Sequence, residues 1–341
     1  MTLTILMVEF HIPPAGFYGR YGGIRLVASK MSPPKTAKKA KIAKMLYRDR
    51  YLYLLLVPAI LFFVIFKYAP LYGVQIAFKN YKMNLGIWGS EWVGLQYFER
   101  LFSSAMFFRV FRNTLLLNIY SVIFGFPAPI LLALLLNEIR NLKYKRLVQS
   151  IVYIPHFFSW VVLAGMIQNI LSPSHGIVNV FIKFITGMEE GIYFLADERW
   201  WRTMFVISGI WKEIGWGTII YLAAITGIDP QLYEAAIIDG AGKFRQIISI
   251  TLPCIAPTIV IQLILRMGSM MDVGMEPVLL LSNNVVRDVA DVFSTYVYRQ
   301  GVQKTQYSLT TAMGLFQSVV SAILLLSTNA IAKWINGEGI W

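Results

Sequence analysis

The chain has 341 residues, 57% hydrophobic and only 14% charged. That balance lies outside the range of soluble globular domains, so the default class is a polytopic membrane protein with one bilayer domain. The formal net charge of +13 does not point to nucleic acid, because 10 of the 31 Lys and Arg lie in the first 50 residues, where anionic lipid and the positive-inside bias account for them. The single cysteine, Cys254, excludes an intrachain disulfide and a thiolate cluster, and His11, His156 and His175 lack metal-ligand spacing.

Residues 1–30 have no basic start followed by an apolar core and a small-residue cleavage site, so they do not read as a signal peptide. Met31 opens a basic lead-in of the kind that precedes a first span. Residues 1–30 are therefore expected to be a dispensable extension from an upstream start; the alternative is an ordered N-terminal element. Six runs can cross about 30 Å of hydrocarbon at roughly 20 residues each: 51–72, 114–136, 150–171, 203–225, 254–281 and 309–331. The expected fold is all-α, with a basic segment 1–50, a transmembrane domain 51–335 of six helices and a tail 336–341.

Lys and Arg in the connections set the orientation. The segment 1–50, the link 138–148, the loop 228–257 and the tail hold 17 of them, against 12 spread over the three longer loops of the other side. Both ends and the loop 228–257 are thus expected to face the cytoplasm. The opposite loops carry Trp88, Trp92, Tyr97, Phe98, Trp200 and Trp201. An interfacial aromatic belt accounts for most of these; a docking surface for an external partner is the sharper reading. Pro127 and Pro129 in the second run, and Gly215 with Gly217 in the fourth, are expected to bend or loosen their helices unless neighbours satisfy the backbone, which implies a bundle.

An ionisable side chain within a span is costly and faces a bundle interior or a watery path. Lys212 and Glu213 fall mid-run in the fourth span. In the fifth, Gln262, Ser269, Asp272 and Glu276 are spaced by 7, 3 and 4, which predicts one helical face with Arg266 beside it. Two readings stand. Lys212, Gln262, Arg266, Ser269, Asp272 and Glu276 line a translocation path for a polar solute, or an ion pair such as Arg266 with a carboxylate locks helices together.

The stretch 228–257 is polar and compact between two long apolar runs. Asp229 followed by Pro230 is a strong helix start, since the carboxylate accepts free N–H groups and proline fits the first helical position. Gly240 ends that helix and, with Gly242, turns the chain into a second short one that runs from about Lys243 towards Ser249, bounded by Pro253. Glu234-Ala235-Ala236, Asp239-Gly240-Ala241, Phe244, Leu252-Pro253 and Pro257 resemble the EAA loop of binding-protein-dependent ABC importer permeases. The resemblance covers about residues 45–335. The opening at Tyr51, Tyr153-Ile154-Pro155 and the segment 211–216 are similar to the carbohydrate-uptake branch. The segments 272–281 and 295–299 are similar to permeases for oligosaccharides such as aldouronates and alginate fragments.

That resemblance implies a coupling helix, with Glu234, Ala235, Ala236, Asp239, Gly240 and Ala241 docked in a cleft of a separate ATP-hydrolysing subunit. It further implies two such subunits carrying ATP and Mg, a second homologous permease, an extracytoplasmic solute-binding protein, and no cofactor in this chain. The competing reading is an amphipathic helix on the lipid surface; it is disfavoured because the helix is short, carries a carboxylate and lacks a bulky apolar face. No GxxxxGK[ST], HExxH or GxSxG motif occurs, so neither ATP binding nor catalysis is expected of this chain. The rival from another class is an autonomous ion-coupled transporter or channel, which needs paired inverted repeats that the sequence does not display. Deleting residues 1–30 is expected to leave assembly and transport intact; loss of complex formation on gentle purification of that deletion refutes the extension reading.

Overall fold

A computed structural model describes residues 47–337, 339 and 340, so the expected extension lies outside the described residues. The chain divides into two units, Met1–Tyr68 and Ala69–Trp341. In the first, helix α1 (Arg50–Phe63) is almost wholly apolar and passes into a π-helical turn, Val64–Tyr68. The second unit holds all remaining elements.

It opens with a 3-10 helical run, Ala69–Phe78, and two antiparallel two-residue strands, β1 (Lys79–Asn80) and β2 (Glu91–Trp92), with Lys79 opposite Trp92. Helices then follow in order. α2 is Gln96–Phe102, α3 Ala105–Tyr120, α4 Pro127–Glu138, α5 Leu142–Phe157, α6 Trp160–Ile170, α7 Ile177–Thr186, α8 Glu198–Thr226 and α9 Pro230–Ile238. After a turn at Lys243–Gln246 come α10 (Leu252–Gly268), α11 (Met275–Leu281), α12 (Phe293–Val297) and α13 (Tyr307–Asn336).

All six expected runs contain helix, but they differ from six uniform spans. Four are long and apolar enough to cross a membrane: Arg50–Phe78, Ala105–Glu138, Lys243–Gly268 and Tyr307–Trp334. α8 has the length, 29 residues, but its charges, Lys212 and Glu213 among them, keep it out of that set. The second run is continuous through a π-helical turn at Ser121–Gly125, after which Pro127 takes the first turn of α4, where its missing N–H is harmless.

The third run is not one helix, a correction to the expected 150–171 span. α5 and α6 meet at 108°, a fifth span only if the bent pair counts as one. Pro155, near the end of α5, has no N–H to give and its ring crowds the carbonyl of Ile151. Ser159 then starts α6 afresh, its hydroxyl accepting from the Val162 N–H.

The fifth run also breaks. α10 stops at Gly268, residues 269–271 form a turn, 272–274 are irregular, and α11 begins at Met275. Gln262, Ser269, Asp272 and Glu276 therefore do not share one helical face, because the 3.6-residue period on which that expectation rested ends before Ser269.

Gly215 and Gly217 do not loosen α8, which is unbroken; they let it approach its neighbours. A Cβ at Gly215 would collide with the carbonyl oxygen of Val152 on α5, and one at Gly217 would meet the ring of Pro129 on α4 at 3.0 Å. α8 thus packs on α4, α5 and α10. At its C-terminal end, Tyr221, Leu222 and Ile225 join Ile130, Ala133, Leu134 and Leu136 of α4 and Ile255 of α10 in one buried apolar cluster.

Glycine within a helix costs about 0.5–1 kcal/mol relative to alanine unless space demands it. Gly209, on the same helix, has open space around a would-be Cβ. Gly209→Ala is therefore expected to hold or raise the thermal midpoint of the detergent-solubilised protein, and Gly215→Ala to lower it by several degrees. Equal midpoints for the two variants refute the close α5–α8 contact.

Candidate functional site

A cavity of about 530 Å³ opens between α8, α10 and the α3–α4 segment. Its wall is largely apolar, with Phe126 and Pro129 from α4 and its N-cap, Phe205, Ile210, Trp216 and Tyr221 from α8, and Leu265 from α10. Polar groups are few: Ser121, Glu213, Gln262, Arg266 and Ser269. An apolar wall with a few convergent polar groups is the usual form of a site for a small organic ligand.

The two formal charges on this wall are held differently. His156 Nδ1 donates to Glu213 Oε2 at 2.9 Å, and the imidazole lies flat on the Trp216 indole, 4.5 Å between centroids and 3° between planes. Arg266 Nη2 donates to the amide oxygen of Asn118 at 3.1 Å. Asn118 is buried on α3, and its own amide nitrogen donates to Thr114 O. A neutral amide orients the guanidinium without cancelling its charge.

Lys212 is buried but does not line the cavity. Its ammonium donates to the carbonyls of His156 at 2.7 Å and Phe158 at 2.8 Å, where α5 ends and the chain bends. A cation at a helix C-terminus is doubly favoured, by the hydrogen bonds and by the helix dipole. Asp272 and Glu276 are exposed and off the cavity wall. Of the six residues read as a path, the cavity brings together Gln262, Arg266 and Ser269.

The loop 228–257 folds as its residues dictate. Asp229 caps α9, its carboxylate accepting from the Gln231 N–H at 3.0 Å, and Pro230 follows in the first turn. Gly240 has φ +75°, the left-handed region that favours glycine. The N–H of Gly240 donates to Ile237 O at 3.0 Å and that of Ala241 to Ala236 O at 2.8 Å, the paired bonds of a Schellman stop. Asp239, the last residue before the glycine, is exposed, as is Glu234.

Three further contacts brace the loop. Gln246 Nε2 donates to Ala241 O at 2.8 Å, Tyr233 OH and Thr251 Oγ1 share a hydrogen bond at 2.9 Å, and Lys243 Nζ reaches Glu138 at the end of α4 at 3.2 Å. The expectation that α9 lacks a bulky apolar face is corrected: Ile237, Ile238 and, just beyond the turn, Phe244 are 62%, 86% and 77% exposed. α9 is only nine residues long and buries none of them, so its last turn projects its isoleucines beside Glu234, Ala235 and Ala236.

Sequence reasoning missed His156, Asn118, Tyr233 and Gln246. His156 sits beside Pro155, a proline in an apolar run, and that was the signal available for the bend. Asn118, within the second run, is a buried amide of the kind that marks a bundle interior.

The chain matches the family model described as binding-protein-dependent transport system inner membrane component over residues 101–337. Protein LplB of Bacillus subtilis (strain 168) is 50% identical over 296 residues, spanning 87% of this chain and 92% of that protein. The polygalacturonan/rhamnogalacturonan transport system permease protein YteP of the same organism is 47% identical over 307 residues, 90% of this chain and 95% of that protein. Among solved structures, a chain of a bacterial ABC transporter involved in the import of the acidic polysaccharide alginate is 43% identical with a TM-score of 0.80, over 87% of this chain and 99% of that one. A chain of a bacterial alginate ABC transporter in complex with alginate pentasaccharide-bound periplasmic protein is 44% identical with a TM-score of 0.80, over 87% of this chain and 99% of that one. With the family model matching well over half of its residues, and relatives near half identical along most of their length, the chain belongs to the binding-protein-dependent transport system inner membrane components.

Proposed function

We propose that the chain is the permease subunit of an ATP-driven importer that moves an oligosaccharide, one carrying uronic-acid carboxylates, across the cytoplasmic membrane by alternating access. The observation that carries this reading is a shared pair of helices: α8 and α10 wall the cavity, and the braced loop with α9 is what joins them. A push on that loop therefore acts directly on both walls.

In this reading both termini and α9 face the cytoplasm. Two ATP-hydrolysing subunits, with ATP and Mg, bind below, a second homologous permease sits alongside, and a solute-binding protein docks on the far side. The polygalacturonan/rhamnogalacturonan permease and the alginate transporter support the substrate class. Arg266 supports the acidic character, since a carboxylate would find there a guanidinium that no carboxylate hydrogen-bonds, Glu213 being paired with His156. Gln262, Ser269 and Ser121 offer donors and acceptors to hydroxyls, and the aromatic wall offers flat faces to sugar rings. The chain itself hydrolyses nothing.

α9 docks through Glu234 and the small residues Ala235 and Ala236, with Ile237, Ile238 and Phe244 as apolar contacts. Glu234→Ala removes one charge-assisted contact, about 1.5–3 kcal/mol, and Gly240→Val forces a β-branched side chain into the left-handed region at about 1–2 kcal/mol or more. Both variants are expected to fold in normal amount, bind the ATPase subunits more weakly and lose solute-stimulated ATP hydrolysis together with uptake. Parental rates of hydrolysis and uptake in both refute the coupling role.

Arg266→Gln keeps an N–H donor on a shorter side chain and removes the charge. Uptake of an acidic oligosaccharide by the reconstituted transporter is expected to fall roughly tenfold or more, in line with about 1.5–3 kcal/mol for a charged hydrogen bond. A neutral oligosaccharide of the same length gains relative to the acidic one. Asp272→Asn, off the cavity wall, removes a carboxylate that acts on Arg266 through space and is expected to hold or raise the preference for the acidic sugar. Equal losses for both sugars in Arg266→Gln refute carboxylate recognition.

A further inference from the structure

We infer that α7 lies flat in the lipid interface, on the side of the membrane opposite the α9 loop, with its apolar face in the boundary between headgroups and acyl chains. The helix is IVNVFIKFIT, ten residues, too short to span. Ile177, Val180, Phe181, Phe184 and Ile185 recur at helical spacing on one face, and they are 70%, 54%, 63%, 87% and 64% exposed.

The side turned to the body of the chain carries half-buried Val178, Ile182 and Lys183 and is anchored by Asn179, which is 1% exposed. Its amide nitrogen donates to Leu171 O, Ser172 O and Ile192 O at 3.1, 3.1 and 3.0 Å, and its amide oxygen accepts from the Ile192 N–H at 2.7 Å. Four bonds to one buried side chain fix the roll of the helix, so the apolar face is presented outward by construction.

Two observations select lipid as the occupant. First, the tether is to the residues that end α6, an apolar helix whose own Val161, Val162, Met166 and Ile170 are exposed; α7 continues that apolar surface where the chain leaves it. Second, the outward face holds no hydrogen-bonding side chain, whereas protein interfaces mix polar groups into the patch and its rim. Lys183, half-buried at the margin, can extend its ammonium to headgroups. A helix with a strongly apolar outward face is the form that lies on a bilayer, its apolar side about 5–10 Å into the boundary. The side follows from chain order, because α7 precedes the start of α8 and the α9 loop follows its end. The consequence is that the far end of the bent α5–α6 pair is held at a fixed depth.

The test uses nitroxide labels in the complete transporter, reconstituted in phosphatidylcholine–phosphatidylglycerol vesicles on a Cys254→Ser background. Labels are placed by Phe181→Cys, Phe184→Cys and, as a water reference, Glu190→Cys, an exposed residue beyond the helix. Collision with oxygen, which partitions into lipid, is expected to exceed collision with a water-soluble nickel chelate at 181 and 184, their ratio standing several-fold above that at 190. If position 181 does not tolerate the label, position 184, the more exposed, decides. Ready access by the nickel chelate means the face lies in water and overturns the inference. Exclusion of both reagents means a protein partner covers the face, and overturns it equally.

Discussion

Carbonyls freed inside hydrocarbon must find a donor, and the bend between α5 and α6 frees them within the bundle. Lys212 supplies that donor to His156 and Phe158 at once. Because this lysine belongs to α8, the bend can be held only where α8 lies against α5. Gly215, three residues on, permits the approach down to backbone contact. Glu213 and Trp216, on the same turn of α8, grip the His156 ring by its Nδ1 and by its face. One turn of α8 thus fixes the position of the bend and one wall of the cavity. Lys212 and Glu213, adjacent in sequence, leave α8 in different directions, so the lysine is answered by two carbonyls and a helix end and the glutamate by His156.

The cavity takes its character from how its charges are answered. Glu213 meets a histidine, whose ring nitrogen donates to its carboxylate. Arg266 hydrogen-bonds the amide of Asn118, which orients the guanidinium and leaves it positive, while the Asp272 carboxylate acts on it only through space. A carboxylate in place of Asn118 would have made a helix-locking ion pair of the kind weighed from the sequence. The amide instead leaves a fixed cation facing about 530 Å³ of mostly apolar space, where attraction to an anion is stronger than in water.

The motif loop was legible in the sequence because its determinants are local. A capping aspartate, a proline in the first turn and a glycine at positive φ each act within a few residues, and each sits where its chemistry requires. The breaks were not legible, because periodicity counts residues without testing whether the backbone runs on. The spacing of Gln262, Ser269, Asp272 and Glu276 fits a helix, yet α10 ends at Gly268, where α13 packs so closely that an added Cβ would strike Leu325. Pro155 did mark the bend, but a proline in a membrane helix is tolerated as often as it breaks. What decides the outcome is Lys212, 57 residues away in sequence. His156 and Asn118 were missed for the same reason: each acquires meaning only from a partner on another helix.

Distance is the remaining question for any coupling between the α9 loop and the cavity, and here the path is short and stiff. α9 is capped at both ends, by Asp229 and by the Schellman turn at Gly240, so it moves as a unit. Tyr233 is bonded to Thr251 at the foot of α10, and Lys243 to Glu138 at the foot of α4. Above them, Tyr221, Leu222 and Ile225 of α8 are packed with α4 residues and Ile255 in one buried cluster, and close-packed interiors transmit displacement because they compress little. Under the proposed coupling no long relay is needed, since Tyr221 of that cluster itself stands on the cavity wall. The π-helical turns at Ser121–Gly125 and Ile247–Thr251 lie in the helices flanking that cluster, where a locally widened turn gives the segments above room to re-aim without breaking.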